Sequence, residues 1–413
     1  MTATARPGLF AFLSQNSRWL AAGGLLTLLS SFGQTFFISI FAAQIQADFD
    51  LSHGSWGAIY SVGTTASAVV MIWAGGLTDQ WRARSLGVVV LAMLAASCLA
   101  MAVNPYAAFL PAVIFALRLT GQGMTSHIAI VAMSRWFVAT RGKALAVATL
   151  GFSLGEAVLP LAFVALLTIF HWRSLWVAAA IVALIGIPIL MALLRTERTP
   201  QSMAKENQST GMAGAHWTRR KTLSHPLFWF MVPALLGPSA FNTAFFFHQV
   251  YFAEIKGMSH LALVSLFPIY TVMGIAAMVA SGVALDRFGT ARLMPLYQLP
   301  LIFAFLVFAA SESVWHLAIG FVFLALTTGA NSTLPNAFWA EFYGTRHIGS
   351  IKAMAAAVMV FGSAIGPGLT GVLIDLGVDL NTQYVGVAAY FLFASVMMWI
   401  GIRRARSSLA AFA

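Results

Sequence analysis

Twelve long apolar runs constrain this sequence more than any other feature. A helix needs about 20 mostly apolar residues to cross a bilayer, and backbone polar groups inside hydrocarbon must be bonded within their own segment. The runs span about 19–43, 54–77, 85–103, 107–133, 143–169, 172–194, 227–252, 260–284, 292–310, 315–339, 349–375 and 382–402. Only 8% of the residues are charged, against about a quarter in a soluble chain. We therefore predict an all-α polytopic membrane protein with twelve transmembrane helices.

The basic residues predict an orientation. If the amino terminus lies in the cytoplasm, almost all of the 23 lysines and arginines fall on the cytoplasmic side, and Arg173 and Lys256 fall opposite. Such an asymmetry follows the positive-inside rule. It predicts both termini in the cytoplasm and a plasma membrane location, in a bacterium the inner membrane. It also explains the net charge of +11 through contact with anionic membrane lipid, with no nucleic-acid partner.

Several functional classes are disfavoured by what the sequence lacks. The first apolar run is helix-length without a small-residue cleavage site, so it is expected to remain as helix 1 and not to be a signal peptide. The single cysteine, Cys98, excludes an intramolecular disulfide and the usual metal spacings. No nucleophile–base pair and no phosphate-binding loop are apparent. We expect no enzyme activity, no cofactor and no metal, and transport driven by gradients.

A polar segment divides the chain into two halves, and two sequence motifs occur in both halves. Residues 195–226 are rich in Ser, Thr, Gln and charge, and are predicted to link an amino-terminal six-helix bundle, 1–194, to a carboxy-terminal one, 227–413. "GGLTDQWRAR" after helix 2 is echoed by "SGVALDRFGTAR" after helix 8, and "GFSLGE" in helix 5 by "GSAIGP" in helix 11. Two parallel six-helix repeats around a midplane site are a transporter arrangement.

These motifs resemble the major facilitator superfamily over the whole chain. The first echo matches its loop 2–3 signature through Gly75, Asp79 and Arg84, although Arg82 replaces the usual glycine. "RLTGQG", beginning at Arg118, matches its helix 4 signature. Within the family, "RWF…RGKALA" and the Trp-Arg pair at 172–173 resemble the monocarboxylate porter and oxalate–formate antiporter group.

The resemblance implies roles for particular residues. The loop signatures imply conformational gating by Asp79, Arg82, Arg84, Asp286 and Arg287; a simple topogenic charge cluster is the alternative. Helices 1, 4, 7 and 10 would line a central cavity. That implies a substrate site drawn from Gln34, Phe37, Phe41, Arg118, Gln122, Asn242, Phe245, Phe246, Gln249, Asn331, Asn336 and Trp339, each with packing as the alternative. Monocarboxylate porters carry an arginine in helix 8, whereas the run here has no charge and Tyr270 is its main polar group.

Arg118 and Glu156 are charges deep in apolar runs. Counted from Met133, Arg118 lies about 22 Å from the cytoplasmic side, and Glu156, counted from Lys143, about 20 Å. One hypothesis is a buried structural ion pair between helices 4 and 5. The other is proton coupling: apolar surroundings favour the protonated carboxyl, the arginine favours the carboxylate, and an anionic substrate competes for the guanidinium.

Helical spacing places other polar residues. Gln122 and Thr125 follow Arg118 at i+4 and i+7, which predicts one polar stripe. His127 points to the opposite face and is expected to be a structural, hydrogen-bonded histidine. His248, near the outer end of helix 7, is either a gate or an interfacial residue.

The leading function is secondary active transport of a small organic anion, with a monocarboxylate as first candidate, by proton symport or anion exchange. The alternative is a proton-coupled exporter of amphipathic or toxic compounds. A receptor or embedded enzyme is disfavoured. We expect a monomer.

Overall fold

The computed structural model describes residues 9–137, 140–196, 210–344 and 346–407, and every regular element within them is helical. The helices that we number α1 to α12 are, in order, Ala11–Gly33 with Thr35–Phe49, His53–Ala74, Ala83–Val103, Ala107–Trp136, Gly142–Leu167, Trp172–Leu193, Pro226–Phe247, His260–Phe288, Leu299–Ala310, Val314–Tyr343, Ser350–Asp375 and Leu380–Arg406. All but α9, which has 12 residues, are long and apolar enough to cross a membrane if the bent α1 counts as one span. The predicted all-α polytopic fold is confirmed, with a helix in each of the twelve runs.

Helix α1 is broken in its middle. A 3₁₀ turn ends at Gly33, Gln34 takes an extended conformation (φ −86°, ψ 153°), and the helix resumes at Thr35 with a bend of 48°. The break coincides with a close backbone approach, because a Cβ at Gly121 of α4 would lie 2.6 Å from the Gly33 Cα. Small residues permit this approach between membrane helices, and the break leaves backbone groups of α1 to be bonded by other residues.

Helix α4 contains a π-helical segment, Arg118–Thr125. The i→i+5 bonding of a π segment is rare and is found frequently at functional sites. Within it, Arg118 and Thr125 are buried, whereas Gln122 is exposed. The predicted stripe of Arg118, Gln122 and Thr125 assumed α-helical spacing and fails at Thr125, because seven residues of π-helix make about one and a half turns.

Helix α10 is interrupted as well. Its first part ends at Asn331, its second part begins at Leu334, and Pro335 occupies the first turn of the second part. Proline has no N–H to donate and fits this position without loss of a hydrogen bond. The predicted site residues Asn331 and Asn336 lie on either side of the interruption.

Two compact units make up the chain. The first contains residues 1–38, 66–159 and 166–205, and the second 39–65, 160–165 and 206–413. The boundary at 205 and 206 falls inside the predicted linker, of which 197–209 lie outside the described residues. The second unit also takes in the end of α1 and the beginning of α2, so the predicted domain limits of 194 and 227 stay a prediction.

Each unit has its own apolar core. In the first unit α3 packs along α6, and α1 along α5 through Gly151 and Gly155. In the second unit Phe245 of α7 is stacked on Phe308 of α9, with ring centroids 4.5 Å apart. Asp379 caps α12 by accepting hydrogen bonds from the Thr382 hydroxyl and backbone N–H, and these bonds hold the pKa of the Asp379 carboxyl below its usual range.

Candidate substrate and coupling site

Arg118 is bonded to the break in α1. The side chain is 2% exposed, and its Nη1 donates to the Gly33 carbonyl oxygen at 3.1 Å and to the Thr35 hydroxyl at 3.4 Å. The Gly33 carbonyl lies at the carboxyl end of the first part of α1, where a helix carries partial negative charge. Arg118 therefore supplies both a hydrogen bond and a positive charge to a helix end that the break leaves open.

The predicted ion pair between Arg118 and Glu156 is not formed in this structure. Among the described residues, half-buried Glu156 has no ion-pair or hydrogen-bond partner. The neighbouring Gly155 lies against Ser31 of α1, and the Thr27 hydroxyl of α1 donates to the Ala148 carbonyl of α5. At this level α1 contacts both α4 and α5, so equal depth along consecutive helices does not bring their charges together.

Two further residues of α1 differ in exposure. Gln34, the extended residue of the break, is half-buried. Phe37 is fully buried, with its ring centroid 5.1 Å from that of Phe32 and 5.4 Å from that of Trp176. Gln34 is thus partly accessible beside the Arg118 contacts, whereas Phe37 packs in the core of the first unit.

The end of α4 holds the segment that follows α2. His127 Nε2 lies 3.2 Å from the Gly75 carbonyl oxygen, and Arg135 Nη1 donates to the Thr78 carbonyl at 2.7 Å. The expectation of a structural, hydrogen-bonded histidine is confirmed for His127.

On α7 and beyond, Asn242 and Gln249 present contrasting amides. The Asn242 side-chain oxygen is buried with no hydrogen-bond partner among the described residues. Gln249 is fully buried in the second unit and its Nε2 donates to the Ser39 hydroxyl at 2.7 Å, which in turn donates to the Phe246 carbonyl at 2.6 Å. The Gln249 amide nitrogen therefore has a structural partner in this conformation, and the Asn242 side-chain oxygen is enclosed in the second unit.

Aromatic and amide groups of α8 and α10 complete the predicted set. The Tyr270 hydroxyl donates to the Thr328 hydroxyl at 3.2 Å, and its ring lies 5.6 Å from that of Phe246, which is 7% exposed. Asn331 accepts a hydrogen bond from Tyr297 at 3.4 Å. Asn336 is exposed, and its amide donates to the Ser332 carbonyl at 2.9 Å.

The predicted gating residues are mostly at the surface. Arg82, Asp286 and Arg287 are exposed, and Arg84 is half-buried. The Arg287 guanidinium lies 5.4 Å from the Phe288 ring centroid. The side chain of Asp79 lies outside the described part of the structure.

Sequence reasoning missed a polar contact within the second unit. Asp375 of α11 accepts hydrogen bonds from the Ser52 hydroxyl at 2.6 Å and the Gly54 backbone N–H at 2.8 Å, and so caps the first turn of α2. His248 Nε2 lies 2.9 Å from the Pro367 carbonyl oxygen. Ser52 before the apolar run of α2 was a visible capping signal, but a carboxylate from another helix has no sequence signature.

The comparisons with known proteins agree with this architecture. A family model, Major Facilitator Superfamily, matches residues 23–297. A bacterial homolog of the human lysosomal transporter Spinster, solved in an inward-facing and unoccupied conformation, has a similar structure with TM-score 0.70 and 16% identity, over 96% of this chain and 99% of that one. The nucleoside transporter NupG has TM-score 0.67 and 15% identity, over 94% of this chain and 99% of that one. A search of curated proteins gave no match.

Proposed function

Because the chain belongs to the Major Facilitator Superfamily and is a membrane transporter, we propose that it is a secondary active transporter of a small organic anion, with a monocarboxylate as the first candidate. Transport would proceed by alternating access with proton symport or anion exchange. We also propose that both termini are cytoplasmic, that the membrane is a bacterial inner membrane, and that the protein works as a monomer.

The buried guanidinium of Arg118 at the break of α1 carries the anion proposal. A central charge is costly in a membrane and normally serves a partner or a pathway. Its partners include a carbonyl and a hydroxyl, those of Gly33 and Thr35, and a carboxylate would make a stronger, charge-assisted bond to the same guanidinium. A substrate carboxylate that displaces these neutral acceptors would release the two parts of α1 and so link binding to conformation.

Glu156 is the proposed proton site. A half-buried carboxylate without a partner among the described residues is unfavourable in apolar surroundings, and the neutral acid fits such a position better. Its neighbour Gly155 packs on Ser31, so protonation of Glu156 and occupation of Arg118 both act on the middle of α1. That shared element supplies the coupling between proton and substrate.

Other polar and aromatic groups would orient the substrate in each unit. In the first unit these are Gln34 and Gln122. In the second unit they are Asn242, Phe246, Gln249, Tyr270, Asn331 and Asn336. The gating role of Asp79, Arg82, Arg84, Asp286 and Arg287 is part of the same proposal.

The alternative is proton-coupled export of amphipathic or toxic compounds. It is favoured by the uncharged character of the second-unit residues: Phe246 and Tyr270 lie in one aromatic cluster, and the run 267–282 has no charge. An amphipathic solute would use aromatic contacts there and leave Arg118 bonded to α1.

A ligand screen on purified protein separates these functions. Thermal unfolding in detergent would be followed at several pH values with small carboxylates, nucleosides, sugars and lipophilic cations, for the wild type, Arg118→Gln and Arg118→Lys. We expect stabilisation by one class of carboxylate that is lost in Arg118→Gln. Equal stabilisation of all three proteins by lipophilic cations, with no response to carboxylates, would overturn the anion proposal in favour of the exporter.

A further inference from the structure

A charged cavity lies within the second unit. Its volume is about 550 Å³, and its lining includes Phe288, Thr290, Arg292, Glu341, Arg403 and Arg406. These residues come from the connection between α8 and α9 and from the ends of α10 and α12. We propose that this cavity binds the phosphate group of an anionic phospholipid.

The charge of the lining fits a phosphate. Arg403 and Arg406 are three residues apart in the last turn of α12, where such side chains are neighbours, and Arg292 belongs to the short helix Thr290–Leu293. Guanidinium groups recognise phosphate oxygens through planar, bidentate hydrogen bonds. Three arginines from two elements line this one cavity, which suits a phosphate group.

Glu341 does not neutralise these arginines. The Thr290 hydroxyl donates to one of its carboxylate oxygens, and among the described residues no ion pair joins Glu341 to Arg292, Arg403 or Arg406. The lining therefore keeps three positive charges against one negative charge. An anion can occupy the cavity without first breaking an internal salt bridge.

Apolar surface beside the cavity selects a lipid over a free ion. Phe288, part of the lining, is 46% exposed, and Trp399 on α12 is 51% exposed. The Arg403 guanidinium lies 5.2 Å from the Trp399 ring centroid. Exposed tryptophan next to arginine at a helix end is typical of the membrane interface, and basic pockets between membrane helices bind anionic headgroups. A phospholipid satisfies both surfaces, whereas inorganic phosphate satisfies only the arginines.

The test compares lipids and charge variants on the full-length protein. Delipidated protein in detergent would be titrated with phosphatidylglycerol, with phosphatidylcholine of the same acyl chains, and with inorganic phosphate. Lipid affinity would be measured by native mass spectrometry, and stability by thermal unfolding. The variants are the double substitution Arg403→Gln/Arg406→Gln and the single Arg292→Gln. The matched control is Arg219→Gln/Arg220→Gln, which removes two exposed arginines outside the cavity.

If the arginines form a specific site, each substitution should change the affinity for phosphatidylglycerol by its own factor. Each basic group near an anionic headgroup contributes about fivefold in affinity, so we expect the double variant to bind phosphatidylglycerol roughly thirtyfold more weakly and Arg292→Gln about fivefold more weakly. The control should lose less than twofold. Glu341→Gln removes the opposing charge, so it should bind more tightly, a change that misfolding would not produce.

Three outcomes would overturn the proposal. Equal losses in the double variant and the control would mean general attraction between charges. Equal binding of phosphatidylcholine would mean that the arginines play no part. Saturable stabilisation by inorganic phosphate at the same site, with no gain from acyl chains, would make the occupant a free ion.

Discussion

At the residue scale, Arg118 connects the two helices that carry the candidate site. It bonds the Gly33 carbonyl and the Thr35 hydroxyl across the break of α1. The same bonds stabilise this conformation and occupy the group that would bind a substrate carboxylate. Removing the guanidinium should therefore affect both stability and binding, and the two effects can be separated by the choice of substitution.

We predict that Arg118→Leu lowers the free energy of unfolding by about 1–3 kcal/mol, because buried acceptors lose their donor, and abolishes substrate binding. Arg118→Lys keeps the charge but not the bidentate geometry, so it should recover most of the stability and little of the affinity. Thermal unfolding with and without substrate measures both. Full binding by Arg118→Leu would remove Arg118 from the substrate site.

A second prediction concerns the proton. Glu156→Gln keeps the shape of the protonated acid and cannot release a proton. Accumulation driven by a pH gradient in proteoliposomes should fall at least tenfold, whereas exchange of labelled for unlabelled substrate should persist and lose its pH dependence. Ser153→Ala, a change at a half-buried residue of the same helix, is the control. If the Gln variant still accumulates substrate in response to the gradient, Glu156 does not couple the proton.

At the element scale, the breaks of α1 and α10 and the π segment of α4 determine which side chains are available. Each replaces regular α-helical bonding at the predicted substrate residues. A regular helix would place Arg118 and Thr125 on one face, but seven residues of π-helix make about one and a half turns and put them on opposite sides. These irregularities depend on close backbone packing, which is open to test.

Gly121→Ala should disrupt the packing of α4 on α1. Its Cβ would lie 2.6 Å from the Gly33 Cα and 2.7 Å from the Gly33 nitrogen, so a backbone must shift. We expect a loss of about 1–3 kcal/mol in stability together with reduced transport. Gly24→Ala, on α1 with nothing within 4 Å of the new Cβ, should be neutral or slightly stabilising. If the two variants behave alike, the close approach has no role.

At the scale of the whole molecule, three helices, α1, α2 and α5, pass from one compact unit to the other. Helix α1 changes unit between Ile38 and Ser39, a few residues after its break, and α5 changes unit at Pro160. Residues 39–65 are held in the second unit by contacts such as Asp375 with Ser52 and Gly54. A change at Asp375 should therefore loosen this segment.

The only native cysteine, Cys98, is fully buried. A thiol reagent should therefore label an introduced, accessible cysteine with little labelling of Cys98. Gln46 lines a cavity of about 210 Å³ with His53, His248 and Glu254. We predict that Asp375→Ala speeds thiol labelling of Gln46→Cys several-fold, because α2 loses its cap and the segment opens more often. Asp379→Ala removes a nearby exposed carboxylate that caps α12 instead and should leave the rate unchanged. Equal rates in both variants would contradict the prediction.

The sequence alone determined the helical membrane fold, the family and the list of polar residues, because hydrophobic run length and local motifs carry that information. It also identified Arg118 and Glu156 as the unusual charges. Only the tertiary structure decided what they contact. Depth along a helix can be counted from the sequence, but the position of α1 against both α4 and α5 depends on glycine contacts between distant residues. The break at Gln34 and the π segment are departures from regular helix that packing against distant residues stabilises. The contact of Asp375 with Ser52 likewise joins residues that are far apart in the sequence.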